Sequence, residues 1–286
     1  MVAQSVFSYP FMVNAFRAGT IVAVLAGALG WFMVTRGQTF AGHTLSLVGF
    51  PGAAGATLIG LSPWIGYFAL CIGAAILIAA LPAGGRSGFG NESAVIGSIQ
   101  ALFLACGFLF VSLYGGNLNG LSSLLFGSFL GITARQVLVL LCVAVPGLIA
   151  LASIARPLLF ASISYDVAEA AGVRVRVVSV AFLVLLGAAV AEASQITGSL
   201  LVFALLVLPA ATAQQITVRP ARAAALSVAI AVCVTWAGLL LAYYSSYPTG
   251  VYITSVAFGF YILARAARAL SLRARPLPPR AGEVAA

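Results

Sequence analysis

Long apolar stretches separated by short polar or Gly- and Pro-rich breaks dominate the sequence. A transmembrane helix needs about 20 mostly apolar residues. Nine stretches reach or approach that length, at roughly 12–34, 43–61, 64–83, 93–113, 135–155, 177–194, 197–217, 223–245 and 250–270. The pattern predicts an all-α, polytopic membrane protein of about eight to nine transmembrane helices, forming one transmembrane domain over residues 1–270.

Two segments depart from this pattern. Residues 114–120 are too polar to span, and 121–131 are apolar but about half a bilayer long, so we expect a short, partly inserted helix there. Residues 271–286 are rich in Arg and Pro, and Pro does not continue a regular helix. They predict a disordered cytoplasmic tail.

Composition excludes several functions. Charged residues make up only 7% of the chain, whereas soluble domains carry about 25%. All 14 basic residues are Arg, and without Lys there is no Walker A loop, so this chain is not expected to hydrolyse ATP. A single His excludes H-E-x-x-H protease chemistry. The net charge of +9 does not predict nucleic-acid binding, because the Arg residues lie between apolar stretches and do not line a soluble face.

The Arg residues also predict the orientation. Placing the loop 156–176 in the cytoplasm puts 12 of the 14 Arg on that side and leaves Arg17 and Arg135 near the outer side. Cytoplasmic loops carry such an excess of basic residues. We therefore expect a multi-pass protein of the cytoplasmic (inner) membrane, with the N-terminus outside and the C-terminus inside.

Polar residues inside the apolar stretches are candidates for a cation site, because each is costly there. His43 opens the second stretch and Ser46 follows on the same face; imidazole is a ligand for Zn²⁺ or Mn²⁺, although it could also simply bond a neighbouring carbonyl. Glu192 is the one acid within an apolar stretch, with Gln195 three residues later. Either Glu192 pairs with Arg17, or it serves as a gate or transient cation ligand.

Small residues and prolines shape the predicted helices. Gly52, Ala56 and Gly60 form a stripe on the second stretch that would let a neighbouring helix approach closely. Pro51 and Pro209 interrupt their helices. Such breaks are common in transporter pathways, but general helix bending explains them equally well.

The loop 156–176 contains the signals of a short helix at about 165–171. Ser164 can cap the N-terminus, Asp166 lies in the first turn, where the helix dipole favours an acid, and Gly172 suits the C-terminal cap. Ala168 and its neighbouring Ala residues would give a smooth surface. The helix is either a plain connector or a plug that docks on a soluble partner.

Several motifs, in order along the chain, resemble the membrane permease subunits of zinc-, manganese- and iron-type ABC importers, the ABC-3 family. They cover most of residues 10–262. The matching segments are 40–46, 49–55, 124–128, 166–173, 195–202 and 209–213.

The resemblance implies a homodimer that binds a cytoplasmic ABC ATPase dimer and receives Zn²⁺ or Mn²⁺ from an extracytoplasmic metal-binding protein. This chain would hold no cofactor, and ATP would bind the partner. The segment that couples to the ATPase would comprise Ser164, Asp166, Ala168, Glu169, Gly172 and Val173. The candidate metal ligands of this chain are then His43, Ser46 and Glu192, and the candidate gate or pathway residues are Pro51, Gln195 and Pro209.

Two departures from the family pattern stand out. Ser164-Tyr165 replaces a usual Asp-Pro, and Leu47 replaces a usual second His four residues after the first ligand position. A two-ligand site on that helix is thereby reduced to His43. Either the second copy's imidazole completes the site across the dimer axis, or transit is looser and the binding protein sets the selectivity. The alternatives to a metal-ion permease are an ABC permease for a metal chelate and an ATP-independent cation carrier or channel; we find no internal repeat of the kind typical of carriers.

Overall fold

The computed structural model describes residues 9–80, 89–114, 131–163, 165–245 and 247–273. Nine long helices and one short helix are present in these ranges. They are α1 (Pro10–Thr35), α2 (Thr39–Leu58), α3 (Pro63–Ala80), α4 (Phe89–Tyr114), α5 (Ala134–Ile163), α6 (Tyr165–Ala170), α7 (Val175–Thr197), α8 (Ser199–Ile216), α9 (Pro220–Tyr243) and α10 (Thr249–Arg273).

The long helices lie where the nine apolar stretches predict them, which confirms the fold class. Seven of them, all except α2 and α8, are long and apolar enough to cross a membrane by length and composition. The helix α10 continues to Arg273, three residues past the predicted boundary of the tail. The predicted half-inserted helix at 121–131 falls almost wholly outside the described residues, and so does the remainder of the tail.

Two groups of helices pack against each other. In one, α1 packs on α8 and α9, and α10 covers α8 and α9; in the other, α2 packs on α3 and α4, and α3 packs on α7. The helices α1 and α7 are the most buried of the seven apolar spans, whereas α4, α5 and α10 are largely exposed. Their exposed apolar surfaces suit contact with lipid or with other membrane helices.

Glycines allow the closest helix contacts. A Cβ at Gly66 of α3 would overlap the carbonyl oxygen of Gly52 on α2, and a Cβ at Gly30 of α1 would overlap the Leu206 carbonyl oxygen on α8. Close backbone approach is how membrane helices gain packing energy, because lipid supplies no hydrophobic drive. Gly52 and Ala56 therefore act as predicted.

The prediction for Gly60 was wrong. The helix α2 ends at Leu58, and Gly60 lies in the following turn with a φ of 76° and open space around its Cβ position. Gly60 is used there for a left-handed turn, and not for helix packing.

Candidate functional site

The side chain of His43 lies at a contact between helices α2 and α8. It is half-buried, and its ring centroid is 4.5 Å from that of Phe203 at an interplanar angle of 60°. The Nδ1 atom is buried and has no hydrogen-bond partner among the described residues. The imidazole thus contacts an aromatic ring, and within the described ranges its Nδ1 lone pair or N–H has no partner.

Ser46 is placed differently from His43. Its side chain is completely buried, and its hydroxyl donates a 2.7 Å hydrogen bond to the carbonyl oxygen of His43 on the same helix. Such a back-bond occupies the hydroxyl proton within the helix. The structure therefore explains Ser46 as a helix-internal hydrogen-bond donor, and its role as a metal ligand stays a prediction.

Leu47 is half-buried, one helical turn after His43. Four residues further on, Pro51 is buried inside α2. Because Pro has no backbone N–H, the Leu47 carbonyl oxygen loses the helical hydrogen bond that position 51 would otherwise donate. The position that lacks the second imidazole is thus also the position where the backbone of α2 is interrupted.

Glu192 is buried on α7, with 3% of its surface exposed, and neither carboxylate oxygen has a hydrogen-bond partner among the described residues. Arg17 is exposed on α1. The predicted Arg17–Glu192 ion pair is therefore not formed. A buried carboxylate without a partner is costly in a membrane protein, which keeps its alternative role as a cation gate open.

Gln195 and Pro209 bracket the junction of α7 and α8. Gln195 is exposed, and its Nε2 donates a 3.3 Å hydrogen bond to the Ala191 carbonyl oxygen. Gly198, with a φ of 78°, separates the two helices, and Pro209 is buried inside α8. Both predicted pathway residues thus lie on interrupted or terminal helical segments, and their part in transit stays a prediction.

A preformed metal centre is not found in the described part of the chain. No three His, Cys, Asp or Glu side chains there lie close enough together to hold a metal ion. A cavity of about 280 Å³ between α1, α5 and α7 is lined by Leu25, Val143, Pro146, Gly147, Ala150, Leu185, Ala188 and Ala189. Its lining is apolar and offers no side-chain ligand for a cation.

The short helix α6 forms where the sequence predicts it. At its C-terminus the Val173 N–H donates to the Ala168 carbonyl oxygen (3.0 Å) and the Gly172 N–H donates to the Glu169 carbonyl oxygen (2.9 Å). Gly172 has a φ of 81°. This pair of bonds around a left-handed Gly is the Schellman motif. Ser164 and the Asp166 side chain, predicted for the N-terminal cap and first turn, lie outside the described residues.

Ala168 was predicted to lie on the outer surface of α6, but the structure buries it. Its side chain is fully buried against Ala161 of α5 and Val175 of α7, with Val173 packed beside them. The residues of α6 and its cap that are exposed are Val167, Glu169, Ala170, Ala171 and Gly172. Ala168 therefore anchors α6 to its own chain.

Phe203 is the site residue that sequence reasoning missed. A Phe within an apolar stretch carries no signal that separates a contact with His43 from ordinary core packing. Only the crossing of α2 and α8 brings the two rings together.

The comparisons with known proteins agree along nearly the whole chain. The model of the ABC 3 transport family matches residues 8–268. The chelated iron transport system membrane protein YfeC of Yersinia pestis is 30% identical over 250 residues, which cover 87% of this chain and 84% of YfeC. The manganese import system permease protein ScaB of Streptococcus parasanguinis is 29% identical over 72% of each chain.

A solved structure is similar as well. A chain of PsaBC from Streptococcus pneumoniae, in complex with Fab, superposes with a TM-score of 0.81 at 26% identity, covering 93% of this chain and 96% of that chain. The similarity extends through the whole helical bundle and is not confined to one segment, and we conclude that this chain belongs to the ABC 3 transport family.

Proposed function

We propose that this chain is the transmembrane permease subunit of an ABC importer that moves a divalent transition metal ion, zinc or manganese, across the cytoplasmic membrane. ATP hydrolysis would take place in a separate partner subunit, because this chain lacks any Lys for a Walker A loop. The relatives YfeC and ScaB, named for chelated iron and for manganese, support a metal cargo.

The helix α6 is the observation that carries the proposal. It is a six-residue helix between two long helices, it is held to them by the buried Ala168, and its outer face is exposed. A plain connector needs neither a buried anchor nor a Schellman cap. A rigid, exposed helix fixed to two spans suits the transmission of force from a docked ATPase.

The proposed cargo is an ion that passes His43 without being stored there. A conducting pathway must bind its ion weakly enough to release it. One half-buried imidazole with an unpartnered Nδ1 fits that need, and no cluster of three ligands is described that would hold the ion tightly. In a homodimer, the second copy's imidazole would complete a two-nitrogen transit site.

The experiment is metal uptake by the assembled transporter. The chain is produced together with a candidate ABC ATPase and a candidate metal-binding protein from the same organism and reconstituted in liposomes. We expect ATP-dependent accumulation of ⁶⁵Zn²⁺ or ⁵⁴Mn²⁺, which stops when the Walker A Lys of the ATPase is replaced. Uptake that persists without ATP would contradict the importer proposal and favour a carrier or channel.

The proposed orientation has the N-terminus outside and the C-terminus in the cytoplasm. It follows from the Arg distribution and from placing α6 beside a cytoplasmic ATPase. In a variant without native Cys, a Cys at position 220 should react only from the cytoplasmic side and a Cys at 247 only from outside. Labelling of position 220 from outside would overturn both the orientation and the role of α6.

A further inference from the structure

Arg36 lies between helices α1 and α2 and contacts both helices that flank α6. Its Nη2 donates a 2.7 Å hydrogen bond to the Ser179 hydroxyl on α7, and its Nη1 donates a 3.4 Å bond to the Ser162 hydroxyl on α5. Ser162 is the penultimate residue of α5. A single guanidinium thereby bridges α5 and α7, the helices that precede and follow α6 in the chain.

The remaining contacts of Arg36 lead to α2. Its Nε donates a 3.1 Å hydrogen bond to the Oε1 of Gln38, the residue directly before α2, and the Gln38 carbonyl oxygen accepts a 3.0 Å bond from the Gly42 N–H in the first turn. His43 follows Gly42. The planar, five-donor fork of Arg allows these three contacts at once, and Lys could not make them in the same geometry.

The site of Arg36 is half-buried and its described partners are neutral. The guanidinium carbon lies 5.8 Å from the ring centroid of the fully buried Phe182, a cation–π contact. Burial lowers the pKa of Arg36 from its ordinary value, but an Arg stays protonated in proteins. A buried charge costs free energy, so four separate contacts on one side chain indicate a specific role beyond orientation.

A continuous set of contacts then joins α6 to His43. Ala168 of α6 packs on Ala161 and Val175. Ala161 precedes Ser162 in α5, and Val175 is one helical turn from Ser179 in α7. The residues that contact Ala168 are therefore close to the two Ser residues that accept hydrogen bonds from Arg36. Coupling between distant sites is carried by such contiguous packing and hydrogen bonds.

Resting on the proposed function, we propose that Arg36 is a positioning residue that couples α6 to the start of α2, so that displacement of α6 by the ATPase moves the helix that carries His43. Arg36 touches neither the ion nor the partner in this role. It transmits movement by holding α5, α7 and the α1–α2 turn as one unit.

The test compares two charge-preserving substitutions in the complete transporter with its ATPase and metal-binding protein. In Arg36→Lys the charge remains, but the fork to Gln38, Ser162 and Ser179 is lost. We expect metal ions transported per ATP hydrolysed to fall at least about fivefold, the lower range of typical coupling effects. Arg222→Lys is the matched control, because Arg222 is an exposed Arg in the first turn of α9, and its ratio should not change.

A merely structural role would lower the amount of assembled complex without changing the ratio per complex, so the ratio is measured on purified, counted complexes. Ser179→Ala should lower the ratio in the same direction, and adding it to Arg36→Lys should cause little further loss, since both act through one contact. An unchanged ratio in Arg36→Lys, or independent effects of the two substitutions, would overturn this role for Arg36. Absence of ATP-dependent uptake by the unsubstituted protein would instead refute the proposed function.

Discussion

The imidazole of His43 lies 4.5 Å, centroid to centroid, from the ring of Phe203, joining α2 to α8. The two residues are 160 positions apart in sequence, and each is half-buried. The two rings are tilted by 60° to each other, and the Nδ1 atom of His43 has no hydrogen-bond partner among the described residues. The structure thus places one nitrogen of His43, unpaired within the described part of the chain, beside Phe203, and the role of His43 as a transit ligand stays a prediction.

Replacement of His43 by Ala is expected to abolish or strongly reduce metal uptake. Among the described residues, the imidazole nitrogen of His43 is the best candidate metal ligand. Removal of the imidazole should leave membrane insertion and ATPase binding intact. Uptake of ⁶⁵Zn²⁺ and ⁵⁴Mn²⁺ per assembled transporter is the measurement. Ser98→Ala serves as a control, because Ser98 is a residue of α4 whose hydroxyl bonds its own helix at Val95. Normal growth of a His43→Ala strain at limiting zinc and manganese would exclude the ligand role.

Replacement of Leu47 by His is expected to strengthen metal binding and slow release. Positions 43 and 47 are four residues apart on α2 and both half-buried, so two imidazoles there would lie on one helix face. The expected result is a lower metal concentration for half-maximal uptake together with a lower maximal rate, measured in reconstituted liposomes. Leu47→Met, a volume-conserving apolar change, should leave both quantities near their starting values. Equal behaviour of the His and Met variants would show that position 47 does not face the ion.

Replacement of Gly172 by Ala is expected to uncouple transport. An L-residue in the left-handed conformation costs about 1–2 kcal/mol, and here the strain falls on the cap that ends α6. Gly60→Ala is the matched control, since Gly60 has a similar φ of 76° and lies in the turn after α2. Both variants should lose similar stability, but only Gly172→Ala should lower metal transported per ATP. Equal ratios in the two variants would contradict the role of α6.

Replacement of Gly66 by Ala is expected to destabilise the bundle by about 1–3 kcal/mol, the usual cost of overpacking. A Cβ at this position overlaps the Gly52 carbonyl oxygen, and backbone atoms cannot move aside without separating α2 from α3. Gly73→Ala lies on the same helix with open space at its Cβ, and should be neutral or slightly stabilising. Thermal unfolding of both variants in detergent measures the difference. A melting temperature for Gly66→Ala equal to that of Gly73→Ala would refute the close contact.

The sequence alone determined the fold class, because spans of about 20 apolar residues with few charges can only be membrane helices. It also located α6, since the Gly172 cap is a local backbone signal. Local patterns could not determine which side of α6 is buried. Ala168 was expected on the outer face, but the packing of α5 and α7 encloses it.

Only the tertiary structure decided the long-range relationships. The sequence offered an Arg17–Glu192 ion pair, but helix rotation leaves Arg17 exposed and Glu192 buried without a described partner. In the sequence, Arg36 was one of 12 Arg residues that indicated the membrane orientation. Its hydrogen bonds to both α5 and α7 depend on the packing that brings Ser162 and Ser179 close together. Hydropathy fixes which segments enter the membrane, whereas the rotation and crossing of each helix depend on packing between residues far apart in the chain, and these decide which polar groups meet.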